Sequence, residues 1–141
     1  MILRALFALS LVMAPLAAAP VPKELKRTDE QRILGKWEMV VYYRNGTDAG
    51  PQTVHWLLEE GGRASIINPK AIGPKDAITF KLTAGNGFDW QWPNSLHAGI
   101  YRLDGDTLKI AMGEGNVRPG EVKPGGAFSY CEFKRVIAEG K

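Results

Sequence analysis

The sequence predicts an all-β domain: a small antiparallel barrel of about eight strands, preceded by a short helical turn. Three observations lead there. Beyond residue 35, apolar residues recur at every second position in run after run, the period of a half-buried strand. Gly, Asn and Pro signals punctuate these runs at spacings of roughly 10–15 residues. Short links between successive runs favour pairing of chain neighbours, hence up-and-down hairpins. At 141 residues, 45% hydrophobic and 23% charged, the chain is globular in composition and long enough for one ordinary domain.

Residues 1–19 read as a secretory signal peptide. Arg4 supplies a basic start, an apolar run extends from Ala5 to Leu16, and Ala17-Ala18-Ala19 offers a cleavage site. The run is too short, and too interrupted by Pro15, for a membrane span of about 20 residues. The expected product is exported to the periplasm or beyond, starts between Ala18 and Lys23, and has no membrane span once the signal is removed. Residues 20–33 form a linker ending in a short helix. There Thr28-Asp29-Glu30-Gln31 fits a capping box, in which hydroxyl and amide satisfy the end donors reciprocally.

The barrel is expected over residues 34–138. Trp37, Met39, Val41 and Tyr43 share one face of the first strand, which ends at the Asn45-Gly46 turn. Val54, Trp56 and Leu58 form the next stripe, closed by Gly61-Gly62. Arg63 to Ile67 is short. Ile78, Phe80 and Leu82, then Phe88, Trp90 and Trp92, continue the alternation. His97 to Leu103 precedes the Asp104-Gly105 turn, Leu108, Ile110 and Met112 follow, and Ala127 to Ile137 closes the set. The segment from Gly113 to Gly126 is a long hairpin loop at the barrel mouth.

Charge and cysteine content narrow the function classes. The net charge is +3, and about +2 without Arg4, but no run of like charges marks a nucleic-acid or polybasic membrane surface. No nucleic-acid partner is expected. The single cysteine, Cys131, excludes an internal disulfide and reads as a small core residue. Asn45-Gly46-Thr47 fits the glycosylation pattern, which matters only in a eukaryotic secretory pathway.

The candidate chemical motifs are weak. Asp104-Gly105-Asp106 fails the calcium-loop spacing, because Leu108 and Lys109 occupy the next ligand and glycine positions. The glycine-rich Gly113–Gly120 stretch contains Pro119 and is followed by Pro124, which oppose the helix a phosphate cradle needs. His55, His97 and Cys131 lack zinc-site spacing, so no metal and no cofactor are expected. Ser65, Ser95 and Ser129 lie outside any nucleophile elbow, and Glu59, Asp89 and Glu132 cannot be brought together from sequence. No catalytic residue is assigned, and the chain is read as a non-enzyme. Four tryptophans, Trp37, Trp56, Trp90 and Trp92, are an enrichment that serves either core packing or an aromatic-lined pocket.

Leu34-Gly35-Lys36-Trp37, Asp104-Gly105-Asp106-Thr107-Leu108-Lys109-Ile110, Arg118-Pro119 and Phe133-Lys134-Arg135 together resemble a family of small lipocalin-like domains of unknown function, abundant in planctomycete bacteria. The resemblance covers about Leu34 to Val136. It implies a small antiparallel barrel, often exported, with no catalytic residues. Where many relatives carry a cysteine after the Leu-Lys-Ile run, this chain has Ala111. By similarity to lipocalins at large, Gly35, Trp37 and Arg135 take structural positions, with the cation over the indole at one barrel end. The chain is shorter than a typical lipocalin and lacks the long terminal helix, so a cavity of lipocalin size is not implied.

The functional expectation is an exported, non-enzymatic domain binding a small apolar or amphipathic ligand at the barrel mouth, with Arg118, Trp56, Trp90 and Trp92 as candidate ligand contacts and the interior below largely filled. The alternative is a protein-interaction or inhibitor module with a partner in the cell envelope. A hydrolase-type enzyme ranks below both.

Overall fold

The computed structural model describes residues 27–50, 52–68 and 77–138. The proposed signal peptide and its cleavage site lie outside the described residues. The helical turn α1, Asp29–Arg32, opens the described chain. As its sequence requires, the Thr28 backbone N–H donates to Gln31 Oε1 (3.2 Å), and the Gln31 and Arg32 N–H groups donate to the Thr28 carbonyl. Among the described residues, no helix is long and apolar enough to cross a membrane.

Among the described residues nine strands follow: β1 (Gly35–Arg44), β2 (Thr47–Asp48), β3 (His55–Glu59), β4 (Arg63–Ile67), β5 (Ile78–Thr83), β6 (Gly87–Trp92), β7 (Ser95–Asp104), β8 (Thr107–Met112) and β9 (Ser129–Arg135). Strands β3 to β9 pair antiparallel in chain order, and β1 pairs with both β3 and β9. Eight strands therefore close into a lipocalin-like up-and-down barrel, as expected. The ninth, β2, is a two-residue addition that turns back at Asn45-Gly46 and pairs only with Tyr43 and Arg44 of β1. The shortest wall ladder joins β4 to β5, at Arg63↔Thr79 and Ala64↔Ile78.

One expectation fails in an informative way. Alternation places Trp37, Met39, Val41 and Tyr43 on one face, but β1 carries a bulge between Met39 and Val41. Met39 opposes Phe133 and Val41 opposes Glu132, so the extra residue Val40 shifts every later side chain by one. Trp37 and Met39 are buried in the core, whereas beyond the bulge Tyr42 is the residue packed against it. The same shift puts Arg44 beside the barrel interior. The run Met-Val-Val-Tyr-Tyr is apolar on both faces, so periodicity alone could not locate the slip.

The other stripes point inward as predicted. Trp56, Phe80, Phe88, Trp90, Leu108 and Ile110 are core residues, with Leu82, Trp92 and Met112 packed against them. Their rings form a continuous stack across the interior. Trp56 lies 4.2 Å from Trp90 at 22° and 4.5 Å from Phe133, while Phe88 lies 6.0 Å from Trp90 and 5.9 Å from Phe80.

One end of the barrel is sealed. Ile33 and Trp37 are fully buried, and the Trp37 indole N–H donates to the Ile33 carbonyl (2.8 Å). The Arg135 guanidinium sits 4.2 Å from the Trp37 ring centroid. It also donates to the carbonyls of Leu34 (2.8 Å) and Arg32 and to Asp106 Oδ1 (3.0 Å). Gly35 is fixed by this arrangement: its φ of +123° disfavours a side chain, and a Cβ there would lie 3.1 Å from Arg135 Nη1. Tyr101 ties α1 to the same end by donating from its hydroxyl to Asp29 Oδ2 (3.0 Å). Burial, reinforced by that carboxylate, pushes the Tyr101 phenol up to about 12.

The cation–π contact should be measurable as a coupling. Trp37→Ala is expected to cost about 3–5 kcal/mol, because it removes a buried indole and leaves a cavity. A double-mutant cycle with Arg135→Ala, followed by urea unfolding, should give a coupling of about 0.5–2 kcal/mol. Strict additivity of the two substitutions would show that the clasp carries no coupling.

Candidate functional site

Opposite the sealed end, the aromatic stack stops short of the strand ends and leaves a cavity of about 450 Å³. Trp56 and Trp90 are buried members of its lining. Met39, Val54, Ile66 and Met112 add further apolar surface. Polar lining comes from Arg44, Asn45, Gln52, His97, Glu114 and Ser129. Arg44, Asn45 and Glu114 are exposed, so this end communicates with solvent. The volume falls within the range of about 300–1,000 Å³ typical of small-molecule sites.

Among the predicted contacts, Trp56, Trp90 and Trp92 do converge on this cavity, although they come from two non-adjacent strands. Trp92 is half-buried and meets Trp90 edge-on at 6.4 Å and 70°. Arg118 does not join them. Expected at the mouth, it lies instead on the outer wall, where Nη2 pairs with Asp89 Oδ1 (2.6 Å) and Nη1 donates to the Gly99 carbonyl. Asp89 alternates with the inward Phe88 and Trp90, so it faces outward and holds the cation there. The bare face of Gly87 provides the seat, since a Cβ would collide with the Thr83 hydroxyl and lie 2.8 Å from Arg118 Nη1. Arg118 instead borders an outer groove of about 680 Å³ lined chiefly by Pro119 to Lys123 and by Ile100 to Arg102. The 113–126 loop contributes only its base, Gly113 and Glu114, to the cavity.

The cation beside the cavity is Arg44. Strand alternation pointed Tyr43 inward and left Arg44 outside, and only the bulge reverses this. A further depression of about 430 Å³ lies at the sealed end, bordered by Glu30, Gln31, Leu34 and the β3–β4 turn. It includes none of the tryptophans, and Ile33 and Trp37 seal the interior beneath it.

His97 and Cys131 also line the cavity, whereas His55 does not. The His97 ring is oriented by two contacts. Nδ1–H donates to the Gly113 carbonyl (3.3 Å), which can only accept, so Nε2 is free to accept from the Ser95 hydroxyl (3.4 Å). A serine–histidine contact needs a carboxylate, or an equivalent orienting group, together with oxyanion donors to perform acyl transfer. Here a backbone carbonyl stands where the carboxylate would be. No three His, Cys, Asp or Glu side chains converge on a common point among the described residues. Cys131 is 1% exposed, and burial pushes its thiol up to about 12.

The fold and cavity define a class, a small lipocalin-like barrel sealed at one end and recessed at the other. No family model, no curated protein and no solved structure matches the chain.

The state of Cys131 has a direct chemical readout. Ellman's reagent at pH 8 should leave the native protein unmodified over the interval in which denatured protein reacts fully, because a buried, protonated thiol is a poor nucleophile. Equal rates in the two states would contradict the burial.

Proposed function

We propose that the chain is an exported, non-enzymatic lipocalin-like protein that binds a small apolar or amphipathic molecule in the recess above the Trp56–Trp90 stack. The observation that carries this reading is the combination at one barrel end of an aromatic and thioether lining with a polar rim. That division of surface suits a ligand with an apolar body and one polar end. The exposed large apolar residues among the described residues, Val40, Ile67, Val117 and Ile137, fall on four separate segments, which favours a recessed site over a broad protein-docking face. The kinship to planctomycete lipocalin-like domains belongs to the same proposal, and the Gly35, Trp37 and Arg135 clasp supports the broader likeness to lipocalins.

A fluorescent fatty-acid or retinoid probe, followed by tryptophan quenching, tests the reading. One-to-one micromolar binding is expected. Met112→Trp, which fills the recess, should abolish it, and Arg118→Ala should leave it unchanged. Binding that survives Met112→Trp, or that is lost with Arg118, would relocate the site to the outer groove.

Export rests on residues 1–19 and is tested separately. N-terminal sequencing of material recovered outside the cytoplasm should begin between Ala18 and Lys23. An intact Met1 start in that material would refute signal cleavage.

A further inference from the structure

The cavity's own unpaired groups define the chemistry of its occupant, if the reading of the recess as a ligand site holds. Trp56 is 4% exposed, and its Nε1 is the buried side-chain polar atom that has no hydrogen-bond partner among the described residues. The contrast with Trp37, whose Nε1–H is paired to a carbonyl at 2.8 Å, is plain. Buried donors are ordinarily satisfied, and Trp56 carries an exception in a residue that lines the recess.

Arg44 is the second such group. No ion pair involves Arg44 among the described residues; the same is true of Arg27, Arg63 and Arg102, but none of those three borders the recess. Glu114 borders the same recess, yet no salt bridge joins the two. The β1 bulge is what places Arg44 on this side of the wall.

We propose that the recess takes a small organic anion whose charged group is held by Arg44 and whose inner end carries an oxygen that accepts from the Trp56 Nε1–H. A guanidinium presents a fork of donors matched to carboxylate or phosphate oxygens. The opposite ligand class, a quaternary ammonium in an aromatic cage, needs open ring faces. Trp56 has none to spare, since Trp90 and Phe133 lie against it at 4.2 and 4.5 Å. An unpaired N–H donor and a guanidinium among the lining residues also oppose a cation. The apolar body of the ligand would lie against Met39, Ile66 and Met112.

The test uses the purified full chain and a matched series: decanoate, decyl phosphate, decanol, decyltrimethylammonium and 10-hydroxydecanoate. The anions should bind at least tenfold more tightly than decanol and decyltrimethylammonium. Arg44→Ala should erase that preference, and Arg44→Lys should keep part of it. Whether decanoate or decyl phosphate binds better identifies the headgroup within the anion class. For the inner end, the indole N–H signal of Trp56 in a nitrogen–proton NMR spectrum should move downfield with a hydroxy acid of suitable length, tested from six to ten carbons, and not with decanoate. The inference is overturned, with the ligand site intact, if decanol or the ammonium binds as well as the anions. An Arg44→Ala effect below twofold overturns it equally, as does a Trp56 signal unmoved by every hydroxy acid. Failure of every probe in the series to bind removes the proposed function and this inference together.

Discussion

The structure depends on β1 serving two ladders at once. One ten-residue strand pairs with β3 on one edge and with β9 on the other, and without both pairings the sheet stays open. The two ends of this strand do different work. At Trp37, opposite Arg135, side chains lock the closure with an indole, a guanidinium and three acceptors. At Val40 a bulge shifts the register, and the half of the strand beyond it presents Tyr42 and Arg44 where strict alternation would present Val41 and Tyr43. Closure thus produces both a sealed end and a rim with a cation on it.

The interior follows from side-chain size. An eight-stranded barrel is just wide enough for its own side chains or for one small ligand. Trp56, Phe80, Phe88, Trp90 and Phe133 fill the sealed part at native packing distances, and such aromatic pairs contribute about 0.5–1.5 kcal/mol each beyond their buried area. The stack ends at the level of Met39, Ile66 and Met112, and the recess begins there. A partnerless indole N–H at that level costs about 1–3 kcal/mol of desolvation, a cost that an acceptor in the recess would offset.

Much of this was legible in the sequence. The stripes Ile78-Phe80-Leu82, Phe88-Trp90-Trp92 and Leu108-Ile110-Met112 alternate cleanly, so their inward residues could be read off directly, whereas β7, with Ala98 and Gly99 both buried, offers no such stripe. The clasp could also be located, because Gly35 and Trp37 near the start and Arg135 near the end occupy lipocalin-like positions. Two features could not be read. The bulge falls in Met39-Val40-Val41-Tyr42-Tyr43, where both faces are apolar and either register buries a similar surface. The place of Arg118 is the other: a loop that follows an inward strand is expected at the mouth, but this one carries Arg118 to the outer wall. Its position is set by Asp89, a charge on a strand 29 residues earlier, and by the bare backbone at Gly87, pairings that only tertiary structure brings together. The orphaned indole of Trp56 is likewise a property of packing, not of sequence.

The central claim is that the barrel is filled at its sealed end and receives a ligand at the other. The most direct measurement is a set of nuclear Overhauser contacts from a bound amphiphile to protein carrying labelled methionine, leucine and isoleucine methyl groups. The account predicts contacts to Met39, Met112 and Ile66, and none to Leu108 or Ile110, which lie in the filled core. Contacts to Leu108 and Ile110 would show a hollow barrel. Contacts confined to Ile100, beside Arg118, would place the ligand in the outer groove. Either result would contradict the account.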